Sequence, residues 1–314
     1  MAAWNGALLA AAVFAVVFSA GVPRAALAAS KFDGVVQPSW ANDHVVYEGD
    51  LLKLRLDSSS GGGFASKNKF LYGKATADLK LVPGDSAGVV TAFYLSSAGD
   101  KHNEFDFEFL GNSSGEPYLV QTNLYIDGVG NREQRIDLWF DPTADFHTYS
   151  VLWNPTRVVF LVDDTPIRVY DNRTATKGHH RHRHPNTTTD SNAVVPQFPG
   201  PQPMSVYSSI WNADDWATRG GLVKTDWSHA PFVATFRDVS VDGCLWAANA
   251  SDTDAGEIAR CSAGGGAWGK EAEEAQELTV HQSHQLVWAR AHHLVYDYCV
   301  DTDRFPVPAP ECSR

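Results

Sequence analysis

Short runs of β-forming residues, with no helical periodicity between them, fill the middle of this chain. From Tyr47 to about Gly243 these runs are separated by turn residues, and several alternate apolar with polar side chains. Such alternation is typical of strands that bury one face. The clearest runs are Leu51–Leu56, Gly88–Leu95, Phe105–Leu110, Leu119–Tyr125, Arg135–Phe140, Val158–Val162 and Val233–Val241. Many strands without intervening helices predict an all-β sandwich or jelly roll.

Two local patterns predict a turn inside this β-rich region and a helix near the C-terminus. Asp163-Asp164-Thr165-Pro166 predicts a hairpin turn. The one helical pattern runs from Glu271 to about Leu294. Its predicted packed stripe consists of Val280, His284, Val287, Ala291 and Leu294.

The N-terminus has the features of a secretory signal. Leu8 to Ala20 is almost wholly apolar, and Ala26-Leu27-Ala28 offers a cleavage site of the small-x-small type. The alternative is an uncleaved anchor, but the apolar run is short for a membrane span. We therefore expect residues 1–28 to be a signal peptide and the protein to be secreted.

The four cysteines, Cys244, Cys261, Cys299 and Cys312, all lie in the last quarter of the chain. An even count in an oxidising compartment predicts two disulfides. Of the three possible connectivities, nearest-neighbour pairing is the simplest. The spacing is unlike that of a zinc or redox CxxC motif.

The charge of the chain limits the classes of partner. The net charge is -12, which argues against nucleic acid and anionic membranes and is compatible with a neutral polymer. The segment 176–195 contains four histidines within six residues, which suggests a metal site. Because adjacent arginines would repel a cation, we favour a solvated surface loop instead. No metal and no cofactor is therefore expected.

The segment with the clearest chemical content is His102-Asn103-Glu104-Phe105-Asp106-Phe107-Glu108-Phe109-Leu110-Gly111-Asn112. Successive side chains of a strand face opposite ways, so Glu104, Asp106 and Glu108 share one face and three phenylalanines share the other. Three like charges in a row repel each other, which makes an incidental arrangement costly. The alternatives to a catalytic strand are an exposed acidic edge and a calcium site of oxygen ligands.

The two glutamates have the reach that glycoside cleavage requires. Their α-carbons would lie about 13 Å apart on a strand, and side chains leaning inward can approach the separation of about 5–5.5 Å found in retaining glycosidases. Asp106, between them, can share a proton and keep the pKa values of Glu104 and Glu108 apart.

Residues 102–112 match the motif HDEIDFEFLGN except at Asn103 and Phe105, and the chain resembles the plant xyloglucan endotransglucosylase/hydrolases of glycoside hydrolase family sixteen. Asn103 should face away from Glu104, so this departure leaves catalysis intact. Further matching blocks cover residues 121–123, 130–135, 138–142, 207–221, 298–299 and 304–312. The resemblance extends over nearly the whole chain after residue 28.

The resemblance implies a concanavalin-like β-jelly roll over residues 29–245 and a disulfide-stapled extension with a short helix over 246–314. It implies that Glu104 is the nucleophile, Asp106 its helper and Glu108 the acid/base. The implied sugar contacts are Gln121, Thr122, Asn123, Asn131, Arg132, Glu133, Asp215, Trp216, Gly220 and Arg304. A buried core indole is the alternative for Trp216.

The family also implies a substrate, a location and a modification. The donor and acceptor would be xyloglucan chains, and a monomer in the cell wall or apoplast is expected. Asn112 is the implied glycosylation site, with further sequons at Asn172, Asn186 and Asn249. The short stretch 127–131 favours transglucosylation over hydrolysis. A binding-only lectin is the alternative from another class, because fold does not fix function.

Overall fold

Two antiparallel sheets, of eight and seven strands, pack face to face and make up most of the protein. The computed structural model describes residues 31–173, 197–264 and 277–312. The predicted all-β jelly-roll sandwich with a C-terminal helix is confirmed. The predicted signal peptide 1–28, the histidine-rich segment 176–195 and the sequon at Asn186 lie outside the described residues.

The order of strands puts the acidic segment in the interior of the larger sheet. The eight-stranded sheet contains, in order, β1 (Val36–Trp40), β4 (Gly62–Ser66), β13 (Ser205–Asn212), β6 (Val89–Ser96), β7 (Glu104–Leu110), β8 (Leu119–Tyr125), β9 (Gln134–Asp137) and β15 (Leu294–Asp297). The seven-stranded sheet contains β12 (Thr165–Asp171), β11 (Arg157–Val162), β10 (His147–Trp153), β5 (Phe70–Lys80), β14 (Phe232–Leu245), β3 (Leu51–Leu56) and β2 (Val45–Glu48). Within the described residues after β14, the chain forms the helices α1 (Ala255–Ser262) and α2 (Val280–His293).

The predicted hairpin turn between β11 and β12 is present. Its two loop residues, Asp163 and Asp164, have φ angles of 47° and 59°. Aspartate tolerates this left-handed conformation, which a two-residue turn of this kind requires. Strand β9 is shorter than predicted and ends at Asp137, which pairs with the first residue of β8, Leu119. Leu138 still donates a backbone hydrogen bond to Tyr118, the residue before β8. Beyond it the chain leaves the sheet, and Trp139 packs on Trp288 of α2.

The phenylalanine face of β7 forms the centre of the core. Phe105, Phe107 and Phe109 are fully buried. Two edge-to-face pairs join β7 to the opposite sheet. The ring centroids of Phe107 and Phe160 lie 5.2 Å apart, and those of Phe109 and Tyr149 lie 4.6 Å apart. Edge-to-face aromatic pairs add to the free energy of burying their area. Packing on this face therefore fixes β7 and turns its carboxyl groups outward.

The helical prediction is right about the existence of a helix but wrong about its buried face. Thr279 and Gln282 form a capping box that begins α2 at Val280. The predicted stripe is not packed, because Val280 and Val287 are 75% and 67% exposed. The face toward β12 carries half-buried Leu286 and fully buried Ala289. The spacing of apolar residues is compatible with burial of either face of α2. The small side chain of Ala289 allows α2 to approach β12 closely, so the face that carries Ala289 is buried.

Two parts of the C-terminal extension differ from the prediction made from the helical pattern. Leu294 belongs to β15, which pairs with β9 and so extends the eight-stranded sheet. Helix α1 is additional, and the aspartate before it, Asp254, caps the backbone N–H groups of Gly256 and Glu257. An aspartate followed three residues later by a glutamate is a helix-start signal that could have revealed α1.

The nearest-neighbour pairing of the cysteines is confirmed. Cys244–Cys261 joins the end of β14 to α1, and Cys299–Cys312 closes the chain segment after β15. The two disulfides therefore hold successive parts of the extension. Among residues 31–173, 197–264 and 277–312, no helix has the length and apolarity needed to cross a membrane.

Candidate active site

The three carboxyl groups of β7 open into a cleft of about 580 Å³ on the outer face of the eight-stranded sheet. Glu104, Asp106 and Glu108 all line this cleft. The neighbouring strands pair in register with them: Asp106 lies between Tyr94 of β6 and Asn123 of β8. The alternation predicted from the sequence thus gives a row of carboxyl groups on the accessible side of a rigid sheet.

The surroundings of Asp106 favour its protonated form. Its residue is only 5% exposed, and burial together with the adjacent charges of Glu104 and Glu108 raises the pKa of Asp106 well above the usual range. A hydrogen bond to Glu104 acts in the same direction. Asp106 can therefore donate a proton to the carboxylate of Glu104, as two carboxyl groups sharing one proton require.

Glu108 has a different environment from Asp106. Burial raises the pKa of Glu108, while the side chain of Gln121 opposes this shift by donating a hydrogen bond of 2.5 Å to Oε2. Gln121 is itself held by Arg135, whose Nε donates to the Gln121 amide oxygen at 2.7 Å. This relay fixes the direction of the Glu108 carboxyl. A glutamate with a raised pKa and a fixed orientation is what a general acid needs.

One wall of the cleft rests on a small apolar cluster on the outer face of the sheet. The cluster consists of Val90, Leu110, Ala213 and Ala217, and Trp211 and Trp216 pack against it. Both indoles also line the cleft, so Trp216 is neither a core residue nor fully exposed. Indole rings at a cleft wall offer flat faces to sugar rings.

The C-terminal extension supplies the opposite wall. Arg304 binds both carboxylate oxygens of Glu133, at 2.9 and 3.1 Å, and donates to Asn131 Oδ1 at 2.8 Å. In β15, the ring of Tyr296 lies 5.4 Å from the guanidinium of Arg135. The extension is therefore part of the cleft, and its charged groups are fixed in position before any ligand binds.

Two of the sugar contacts implied by the resemblance do not face the cleft. Thr122 lies on the core face of β8, is fully buried and accepts a hydrogen bond from Arg168. Arg132 is 8% exposed, and its Nε donates to Glu311 at 2.7 Å. Thr122 belongs to a block that covers both faces of β8, and only alternate residues of a strand can reach a ligand on one side. Arg132 lies in the loop before β9, where its pair with Glu311 draws the side chain away from the cleft.

The remaining implied contacts divide into two groups. Those that line the cleft are Gln121, Asn123, Glu133, Trp216 and Arg304. Asn131, Asp215 and Gly220 are exposed beyond this lining, with Asn131 attached to it through Arg304.

Six further residues of the cleft were not singled out from the sequence. They are Ala92, Tyr94, Tyr125, Arg135, Ser209 and Trp211. Strand register is the signal that could have found them, because Ala92 is paired with Glu108 and with Ser209. The small Ala92 leaves open space next to the acid, and Tyr94 stacks on Tyr207 at 5.2 Å to form a side of the cleft.

Asn103 joins three loops behind Glu104. Its fully buried side chain donates to Gly200 O at 3.2 Å and accepts from the Asp127 backbone N–H at 3.1 Å. The backbone N–H of Asn103 is bound by Ser97 Oγ at 2.8 Å. The side chain faces away from the carboxyl row, as expected.

Replacement of Asn103 by aspartate should destabilise the fold without removing a catalytic group. An ionised carboxylate cannot donate to Gly200 O, so we expect a loss of about 1–3 kcal/mol in the free energy of unfolding. Urea denaturation measures this loss. It should shrink toward acidic pH, where the new carboxyl can be protonated. Asn249→Asp, in an exposed turn, is the matched control, and equal effects of both variants would contradict the role of the buried amide.

Asn112 follows the acidic strand and lies at a second, shallow cavity of about 450 Å³. Its side-chain amide donates to Pro117 O at 3.0 Å. Among the described residues no group of three or more histidine, cysteine, aspartate or glutamate side chains is arranged to hold a metal ion.

Sequence comparisons match two known families. Residues 32–229 match the family described as glycosyl hydrolases family 16, and residues 263–312 match the xyloglucan endo-transglycosylase (XET) C-terminus. The chain is 59% identical to xyloglucan endotransglucosylase protein 6 of Diospyros kaki, over 91% of this chain and 89% of that protein. It is 54% identical to xyloglucan endotransglucosylase/hydrolase protein 9 of Arabidopsis thaliana, over 92% and 91% of the two chains.

Solved structures resemble the fold at low sequence identity. A Bacillus licheniformis beta-glucanase superposes with a TM-score of 0.50 at 23% identity, over 66% of this chain and 91% of that chain. The apo Crh5 transglycosylase superposes with a TM-score of 0.52 at 23% identity, over 69% and 81% of the two chains. At this identity the likeness concerns the jelly-roll fold alone.

Proposed function

Because this chain belongs to glycosyl hydrolases family 16 and carries the C-terminal region of xyloglucan endo-transglycosylases, we propose that it is a xyloglucan endotransglucosylase. It cleaves the β-1,4-glucan backbone of one xyloglucan chain and joins the new end to another chain. The observation that carries the proposal is the row of Glu104, Asp106 and Glu108 on one face of β7, inside a cleft with indole and charged walls.

The first half-reaction forms a covalent intermediate. Glu104 attacks the anomeric carbon while Glu108 delivers its proton to the departing glycosidic oxygen, so the carbon–oxygen bond to the leaving chain breaks as the bond to Glu104 forms. The raised pKa of Glu108 supports its role as the acid. The raised pKa of Asp106 favours its protonated form, and its hydrogen bond to Glu104 stabilises the charge of the nucleophile.

The second half-reaction returns the proton. Glu108, now ionised, takes a proton from the 4-hydroxyl of an acceptor chain, and the oxygen of that hydroxyl displaces Glu104 from the anomeric carbon. Two displacements retain the configuration. If water takes the acceptor's place, the same steps give hydrolysis, which is the second candidate outcome.

Transfer is favoured over hydrolysis by the acceptor-side wall. The turn before Arg132 is tight, with Ile126 bridged to Val129, and leaves the wall formed by Arg304 and Glu133 accessible from the cleft. A fixed bidentate pair can orient sugar hydroxyls without an ordering cost at the moment of binding. An acceptor held this way competes with water through its high effective concentration.

The proposal also covers the remaining sugar contacts, the secretion of the protein and its active form. Sugar rings stack on Trp211 and Trp216, and hydroxyl groups bind Gln121, Asn123 and Glu133. We further propose that residues 1–28 direct secretion to the cell wall, that residues 29–245 form the catalytic unit and 246–314 the extension, and that a monomer glycosylated at Asn112 is the active form.

Incubation of xyloglucan with a labelled xyloglucan oligosaccharide tests the proposed function. Incorporation of the label into polymer is the expected result. Falling viscosity without label transfer would identify a hydrolase. Retention of label in the oligosaccharide together with unchanged chain length would leave a glucan-binding lectin and contradict the proposal.

Arg304→Ala should weaken acceptor binding more than donor cleavage. The change removes a charged hydrogen-bond donor and frees Glu133, so we expect the KM for the labelled oligosaccharide to rise about 10-fold or more. Steady-state kinetics at a fixed donor concentration measures it. Arg237→Ala, which breaks an exposed 3.0 Å pair with Asp78 on the other sheet, is the matched control. An unchanged acceptor KM in Arg304→Ala would contradict this role.

A further inference from the structure

Arg168 is a buried charge that the proposed mechanism does not use. It belongs to β12, at the edge of the seven-stranded sheet, and is only 2% exposed. Burying a charge costs desolvation free energy, because water is replaced by a medium of low dielectric constant. A buried charge that serves no purpose is therefore unfavourable. Burial lowers the pKa of Arg168 to about 10, which still leaves the guanidinium charged at neutral and acidic pH.

The contacts of Arg168 cross the sandwich to the catalytic sheet. Its Nη1 donates to the backbone oxygen of Thr122 at 2.9 Å and to the Thr122 hydroxyl at 3.0 Å. Thr122 is paired with Phe107 of β7. The guanidinium also lies 5.9 Å from the ring of Phe160, which itself packs on Phe107 at 5.2 Å. The charge therefore sits on the core side of β7 and β8, behind the sheet that bears the carboxyl row.

The C-terminal extension encloses the same guanidinium. The ring of Tyr298 lies 5.8 Å from it, and the Tyr298 hydroxyl donates to Glu311 at 3.2 Å. The nearby carboxylates pair with other cations, Asp297 with Arg290 at 3.0 Å and Glu311 with Arg132 at 2.7 Å. Each of these two carboxylates therefore already has a cation of its own.

The groups that face the two ends of this interaction are charged or titratable. Arg168 is influenced by Tyr298 and Asp297 of the extension, by Tyr170 of its own strand and by Arg290 of α2. Asp106 is influenced by Glu104, Glu108 and Arg168, and only the last of these favours the ionised form. His102 Nε2 lies 4.0 Å from Glu104 Oε2 on the cleft side, and Arg135 favours the ionised form of Glu108. Arg168 is thus the cation that acts on Asp106 from the core side of the sheet.

We propose that Arg168 is a positioning residue of the catalytic centre, and that its buried charge acts through the sheet to keep the Glu104–Asp106 pair singly ionised. Tyr298 of the C-terminal extension completes the surroundings of the Arg168 guanidinium. The inference rests on the proposed function, because it assigns Glu104 as the nucleophile. An arginine suits the position better than a lysine, since it stays protonated when buried. The extension thus acts on the nucleophile as well as on the acceptor side.

The pH profile of Arg168→Met tests the proposal. Loss of the cation makes ionisation of the carboxyl pair less favourable, so the acidic limb of kcat/KM should move to higher pH by on the order of one unit, for a unit charge at an effective dielectric constant of about 20. Activity on that limb should fall about ten-fold. Arg168→Lys, which retains a charge, should keep the limb within a few tenths of a unit. If Arg168→Met does not fold, Arg168→Gln takes its place.

Tyr298→Phe controls for a structural effect. It removes the hydrogen bond to Glu311 but keeps the ring beside the guanidinium, so thermal stability should fall and the acidic limb should stay. An unmoved limb in the folded neutral variant, or a shift in Arg168→Lys as large as that of the neutral variant, would overturn the proposal.

NMR titration of ¹³C-carboxyl-labelled protein measures the ionisation of Glu104 and Asp106 in the absence of substrate. It separates failure of this inference from failure of the proposed function. A wild-type protein inactive on xyloglucan contradicts the function alone, while equal carboxyl titrations in wild type and Arg168→Met contradict the role of Arg168.

Discussion

Glu104→Ala should lose xyloglucan cleavage and label transfer together, with kcat lower by about 10⁴-fold or more. The variant cannot form the covalent intermediate on which both outcomes depend, and residues that act as one unit lose most of their effect when a single member is removed. Because the side chain points into the cleft and contributes nothing to the core, the melting temperature should stay close to that of the wild type. Label transfer and circular dichroism measure the two quantities.

An added small nucleophile distinguishes the role of Glu104 from general damage to the site. Azide can enter the space that the carboxylate leaves and attack a glycosyl fluoride donor, which would give a product of inverted configuration. Glu116→Ala is the matched control, since Glu116 is exposed and forms only a 3.9 Å pair with Arg219. Full activity of Glu104→Ala, or equal losses in both variants, would contradict the assignment.

Glu108→Ala should lower kcat on xyloglucan by about 10²–10⁴-fold, the usual contribution of a general acid–base. For donors with a good leaving group, the rate of the first half-reaction should fall less, because such a leaving group departs without being protonated. The pH profile should change as well. Burial raises the pKa of Glu108, so the wild type loses its acid as pH rises through that value, and this alkaline limb should vanish in the variant.

The comparison of two donors is the decisive measurement for Glu108. Equal losses on xyloglucan and on an aryl glycoside would indicate a structural defect, and an unchanged alkaline limb would assign the acid to another group. Gln121→Ala should shift the alkaline limb upward, because the hydrogen bond from Gln121 favours the ionised form of Glu108.

The catalytic strand is predictable from the sequence because alternation and burial agree there. Phe105, Phe107 and Phe109 have a single way to avoid water, and this fixes the direction of the three carboxyl groups. Around Thr122 the resemblance implies contacts from both faces of a strand, although alternation allows only one face to reach the cleft. Thr122 consequently faces the core, while Gln121 and Asn123 face the cleft. Arg132 lies in the loop before β9, where it pairs with Glu311.

Features that depend on distant parts of the chain could not be predicted from local patterns. Arg304 and Glu133 are separated by 171 positions, and only the pairing of β15 with β9 brings them together. Helix α2 shows the same limit, since its apolar residues suit two faces and the packing partner decides. Arg168 has no local mark at all, because an arginine in a strand is usually exposed.

Strand β15 also covers β9, which would otherwise be the last strand of the eight-stranded sheet. Without it, β9 would end the sheet with a row of unsatisfied backbone N–H and C=O groups, a surface onto which another chain can add a strand. The four residues Leu294–Asp297 cover that row, and the register shift within their pairing makes a poor template for a further strand. We therefore expect a chain cut before residue 277 to be prone to self-association and to lack Arg304, which pairs with Glu133 at the wall of the cleft.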